Sequence, residues 1–212
     1  MVDYGKASPA ILLVGPSGCG KTPLGDLLEA KGLRGMEFRH FDFGGILREA
    51  CGGGKEGEFL TDEERTVVRE LLERGALIED ENFPIASKLL AGFIAEAASV
   101  PDIVIVLNGL PRHIGQARAI EGMVRVRTVI VLYCAPEIAW ERVRTNAGGD
   151  RHGRGDDTIQ QLRHRFGIFR QRTEPVVEYY RRSGVPLVNL DVAVRTTAED
   201  MLTLLEARSP FW

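Results

Sequence analysis

The chain has 212 residues, a mass of 23.4 kDa and a net charge of −3, with 44% hydrophobic and 27% charged residues. That length predicts one domain, and this mixture excludes a disordered, collagen-like or coiled-coil chain. The negative balance argues against a general nucleic-acid surface, and the longest aliphatic runs, such as 103–107, are too short to span a bilayer. Neither a nucleic acid nor a membrane is therefore expected as a partner, and no secretory signal is read at the N-terminus. The three cysteines, Cys19, Cys51 and Cys134, are odd in number and widely spaced. They fit a reducing, cytoplasmic setting and give no metal pattern.

The chain reads as alternating strands and helices. A buried strand at 10–14 ends at Gly15, and a helix at 23–31 follows with Pro23 in its first turn. A second strand is predicted at 38–43 and a short helix at 44–50, broken by Gly52, Gly53 and Gly54. Thr61 and Glu64 form a capping box for a helix running to about 74. Another helix covers 82–98 and stops before Pro101. A third strand lies at 102–107, a helix at 116–123, a fourth strand at 127–134 and a helix at 136–144. A glycine-rich loop occupies 146–155. A long helix at 157–183, kinked near Pro175, precedes a fifth strand at 185–190 and a last helix at 197–207. Strands separated by helices predict a three-layer α/β/α fold with a five-stranded parallel sheet, and ligands in such sheets bind at the carboxyl ends of strands.

The strongest motif is Gly15-Pro16-Ser17-Gly18-Cys19-Gly20-Lys21-Thr22, which fits G-x-x-x-x-G-K-[ST] between a strand and a helix. Glycines let backbone N–H groups turn inward around a phosphate, and the next helix presents its positive end to the same anion. Lys21 reaches the outer phosphates of ATP and the Thr22 hydroxyl is placed to ligate Mg²⁺. Only five of the 27 basic residues are Lys, so Arg dominates. Arg forks match phosphate oxygens bidentately.

Four further segments carry a resemblance. They are Gly44-Gly45-Ile46-Leu47-Arg48; Asn108-Gly109-Leu110-Pro111-Arg112 with Gln116; Gly153-Arg154-Gly155-Asp156-Asp157 with Arg165; and Thr173-Glu174-Pro175 with Tyr179-Tyr180 before Gly184. Together with the P-loop, this ordered set resembles the adenylate kinase family of nucleoside monophosphate kinases over nearly the whole chain. The resemblance implies one P-loop kinase domain over 1–212, acting as a monomer. It carries an acceptor-binding insertion at 43–75 and a lid at 145–156. Long-lid members have a zinc-binding Cys/His set; this chain has none, so it looks like a short-lid member.

By motif position, Phe43, Gly44, Arg48, Gly109, Arg112 and Gln116 would face the acceptor monophosphate, with Arg48 and Arg112 on its phosphate and Gln116 toward its base. Arg154 and Arg165 would close on the transferring phosphate, with Arg144 a third lid-side contact and Arg151 a further ATP contact. Thr22, and Asn108 through water, would hold Mg²⁺. The acceptor is a phosphate oxygen already ionised at neutral pH, so no general base is needed. The reaction needs relief of repulsion between two anions and stabilisation of charge in line.

Three positions depart from the family pattern. Asn108 and Gly45 stand where the family has Asp, and Phe43 stands where adenylate kinases commonly have Thr. Asp42 is close in sequence, but alternation along a strand assigns it to the opposite face. The leading reading is transfer of the γ-phosphoryl group from Mg-ATP to a nucleoside monophosphate, with AMP the first candidate. Two alternatives remain: a nucleotide-binding relative with weak or lost transfer that acts as a sensor or partner, and a kinase with another small-molecule acceptor.

Overall fold

The computed structural model describes residues 7–74, 78–149 and 158–208. Five strands form one all-parallel sheet in the order β2-β3-β1-β4-β5. They are β1 (Ser8–Val14), β2 (Phe38–Asp42), β3 (Val104–Asn108), β4 (Val124–Tyr133) and β5 (Leu187–Asp191). Residues of β1 alternate between two cores. Ala10, Leu12 and Val14 join one cluster, while Ile11 and Leu13 join the other. A strand buried on both faces reads as a continuous apolar run, which is why 10–14 was legible.

The helices are α1 (Lys21–Lys31), α2 (Phe43–Cys51), α3 (Asp62–Arg74), α4 (Phe83–Ala97), α5 (Ile114–Ala119), α6 (Pro136–Arg144), α7 (Ile159–Ile168), α8 (Glu174–Arg182) and α9 (Ala198–Ala207). The Thr61 box forms as expected, with Glu64 N–H donating to Thr61 Oγ1 at 3.2 Å and Thr61 N–H to Glu64 Oε2 at 2.9 Å. The predicted long helix is two helices joined by a π segment, Phe169–Thr173. Pro175 lacks the N–H that an unbroken α-helix needs there, and wider i→i+5 bonding just before it absorbs the defect. The fourth strand begins at Val124, earlier than read. Its first residues pair with Ser8 to Ala10 across an irregularity between Ala10 and Ile11. None of the described helices is long and apolar enough to cross a membrane.

Cys19 is fully buried within the loop that follows β1. Burial pushes the Cys134 thiol up to about 12; Cys19 adds to the rise, and Arg142 and Lys21 oppose it. Burial also raises the Cys51 thiol. A thiol raised this far is almost wholly protonated at pH 8, and the thiolate is the nucleophile. Alkylation of Cys134 by iodoacetamide at pH 8, followed by peptide mass spectrometry, is expected to be at least about tenfold slower in the native protein than in urea. Equal rates would contradict the placement of this thiol.

Candidate active site

The loop between β1 and α1 sits at the carboxyl edge of the central strand. Gly20 precedes α1 with φ +91°, a left-handed conformation that an L side chain adopts only with strain. This turn lets α1 begin at Lys21 with its free N–H groups aimed into the cleft. Lys21 Nζ donates to the carbonyls of Gly15 at 2.7 Å and Pro16 at 2.8 Å, bridging the inner rim of the loop.

One cleft gathers several of the expected phosphate-binding residues, though Arg144 and Arg165 are not among those that line it. Ser17, Gly18, Gly20, Lys21 and Thr22 form one wall, and Gly44, Arg48, Asn108, Gly109 and Arg112 the other. Arg48 comes from α2, one turn after Gly44, and its Nη1 lies 3.4 Å from where a Gly44 Cβ would stand. Arg112 follows β3, and its Nε donates to the Gly109 carbonyl at 3.0 Å. Burial lowers the pKa of the Arg112 guanidinium; attraction by Asp42 opposes that shift and repulsion by Arg165 adds to it. Arg165, half-buried on α7, is thus near enough to Arg112 to act on it electrostatically. Such an arrangement favours an anion between the two guanidinium groups.

Four expectations change. Gln116 does not face the cleft. It is 2% exposed; its Oε1 accepts from Arg112 N–H at 2.8 Å and its Nε2 donates to the Ile78 carbonyl at 2.7 Å. A buried amide must satisfy both ends, and here the backbone does so. Phe43 opens α2 rather than ending β2, and it is 5% exposed, stacked on Phe41 with centroids 5.8 Å apart. Arg144 is exposed and forked onto Glu141 of the same helix at 2.6 and 3.1 Å. Asn108 presents its amide nitrogen, not its carbonyl oxygen, to the Thr22 hydroxyl at 3.1 Å; an N–H cannot ligate a cation or accept from its water. Arg151 and Arg154, with most of the expected lid, lie outside the described residues.

Two cleft residues were missed. Arg142, 3% exposed, donates through Nε to Gly18 O at 3.1 Å and through Nη1 to the carbonyls of Ala193, Val194 and Thr196 at 2.7–3.0 Å. It shares the buried face of α6 with Ala139, three residues earlier, while Arg144 points away. Asp42 also lines the cleft, because β2 pairs Asp42 with Asn108 across the sheet and paired residues share a face. Behind them, the buried His40 donates from Nδ1 to Asp26 Oδ1 at 2.8 Å, and its Nε2 lies 3.3 Å from Asn108 Nδ2. Among the described residues no three His, Cys, Asp or Glu cluster to hold a metal on their own. The oxygens of Thr22 and Asp42 at the loop suit a hard cation that arrives with phosphates.

The sequence is similar to those of known proteins. A family model described as AAA domain matches residues 11–163. An adenylate kinase from Synechococcus sp. (strain WH7803) is 30% identical over 203 residues, covering 93% of this chain and 96% of that one. A UMP-CMP kinase 1 from Oryza sativa subsp. japonica is 28% identical, covering 85% of this chain and 66% of the relative. A solved gluconokinase from Sinorhizobium meliloti 1021 superposes with a TM-score of 0.49 at 19% identity over 95% of each chain. The loop that cradles phosphate, the parallel sheet beneath it and the near full-length similarity lead to one conclusion: the chain is a P-loop kinase that belongs to the AAA-domain family and to the adenylate kinase family.

Proposed function

We propose that the protein is a nucleoside monophosphate kinase, moving the γ-phosphoryl group of Mg-ATP to a nucleoside monophosphate, with AMP as the first acceptor. The reading rests on one observation: Lys21, Arg48 and Arg112 line a single cleft with the phosphate loop. Lys21 and the loop N–H groups hold the donor phosphates. Arg48 and Arg112 hold the acceptor phosphate and offset the repulsion between the two anions. Segment 43–75 serves as the acceptor side and 145–156 as the lid, where Arg151 and Arg154 complete the clamp. Mg²⁺ supplies charge neutralisation between the donor phosphates and is held from the protein by the Thr22 hydroxyl. No residue is asked to take a proton.

AMP is placed first because the Synechococcus relative is an adenylate kinase. A second reading, a different acceptor, is favoured by the packing of Gln116 and Phe43, which leaves neither free to read an adenine. The test is a steady-state assay with Mg-ATP and a panel of AMP, CMP, UMP, GMP and dTMP. The expected result is highest kcat/KM with AMP. Preference for a pyrimidine monophosphate would move the acceptor. ATP binding with no turnover on any of the five would overturn the monophosphate kinase reading.

A further inference from the structure

A carboxylate at the mouth of a phosphate cleft needs a physical reason, because it repels the same anions that Lys21, Arg48 and Arg112 attract. Asp42 lies there. It occupies the position just before α2, where an Asp ordinarily accepts an N–H from the first turn of the helix. Its side chain makes no such bond. Instead, Oδ2 receives the Thr22 hydroxyl at 3.4 Å and Oδ1 the Asn108 amide at 3.4 Å. Both contacts are long for hydrogen bonds to a carboxylate, so neither accounts for the placement.

The surroundings are arranged for a negative charge at 42 and a donor at 108. Asn108 Nδ2 faces Thr22 Oγ1, Asp42 Oδ1 and His40 Nε2, each of which can accept. A carboxylate at 108 would meet that of Asp42 at about the same separation. Gly45 leaves the space Asp42 occupies, since a Cβ there would come within 3.1 Å of Asp42 Oδ2. The missing side chain at 45, the amide at 108 and the acid at 42 form one coherent arrangement. The Thr22 hydroxyl and the Asp42 carboxylate are two hard oxygen donors 3.4 Å apart. Neighbouring oxygens around an octahedral Mg²⁺ stand roughly 3 Å apart, so a small closure or one shared water suits both.

We propose that Asp42 is the protein's carboxylate for the divalent cation that accompanies ATP, acting beside the Thr22 hydroxyl, with Asn108 as the donor that holds the two in place. The negative charge of the cation site then sits at the end of β2 rather than of β3. This rests on ATP occupying the cradle, not on which acceptor is used.

The test measures ATP binding by titration calorimetry in excess Mg²⁺ and in EDTA. Wild-type protein, Asp42→Asn and Asp42→Glu are compared, each first shown by its melting curve to be folded. Mn²⁺ bound in the ATP complex is counted in parallel by electron paramagnetic resonance. For wild type, Mg²⁺ is expected to tighten ATP binding about tenfold. In Asp42→Asn that increment is lost and the bound Mn²⁺ signal weakens, while binding in EDTA is unchanged or tighter because a repulsive charge has gone. Asp42→Glu keeps part of the increment. Equal weakening in both buffers would assign Asp42 to Arg112 alone and overturn the proposal, as would an undiminished increment. Failure of wild type to bind ATP in either buffer would overturn the kinase reading as well, and the empty EDTA titration identifies that case.

Discussion

Lys21→Met is expected to lower kcat/KM by about a thousandfold, or about 4 kcal/mol of transition-state stabilisation. The ammonium is held at the loop by the Gly15 and Pro16 carbonyls at 2.7 and 2.8 Å, within the ring that would surround the donor phosphates. Entry of the phosphates offers it oxygens that carry more charge than a carbonyl does. Methionine keeps the length and apolar stem of lysine but supplies no charge as the bond to the γ-phosphoryl group breaks. Lys21 is only half-buried, so the two carbonyls it leaves remain close to water, and stability should change by less than about 1 kcal/mol. The check is a pair of measurements, steady-state kinetics with Mg-ATP and thermal melting. A variant that melts normally yet retains more than a tenth of the activity would remove Lys21 from the reaction.

Arg142→Met should have the largest effect on stability. Its guanidinium ties the phosphate loop, through Gly18 O, to the turn after β5, through the carbonyls of Ala193, Val194 and Thr196. Arg142 is 3% exposed, so removing it takes the shared donor from carbonyls in two parts of the chain, the phosphate loop and the turn after β5. A loss of about 2–4 kcal/mol is expected, in line with removing a buried guanidinium that makes four hydrogen bonds. ATP affinity should fall with it, because the Gly18 side of the loop loses its anchor. Arg142→Lys should lie between, since an ammonium cannot reach both sides as a planar fork does. The control is Arg144→Met, two residues on, where an exposed ion pair with Glu141 is worth little. Urea unfolding of the three variants decides the matter: a midpoint for Arg142→Met that matches Arg144→Met would show that the buried network contributes nothing.

Local signals in the sequence were read well where one segment alone determines the outcome. The apolar run of β1, the glycine loop, the Pro136 start of α6 and the Thr61 box each depend on residues within a few positions of one another. The chemistry of the cleft was read less well because it depends on alignment between distant segments. Asp42 was assigned to the wrong face because alternation within β2 does not say which side of the sheet holds the phosphate loop; the pairing of Asp42 with Asn108 does. The resemblance points to Arg144 and is silent on Arg142. Burial of Ala139 and Arg142 along one stripe of α6 separates them, a helical spacing present in the sequence and not used. Gln116 and Phe43 each meet stronger demands inside than at the cleft: a buried amide must find two partners, and the ring that opens α2 stacks on Phe41.

Leu13, Asn108 and Asp42 stand on one rung of three hydrogen-bonded strands. The spacing across that rung is set by peptide chemistry, close to 4.8 Å per strand, and not by how side chains happen to pack. The donor amide and the acidic group therefore inherit a ruler that helix repacking does not stretch. Evolution is free to redraw the acceptor side through the helices around it while the ruler stays in place. Substitutions in those helices should therefore alter what the cleft accepts more readily than the spacing between Asn108 and Asp42.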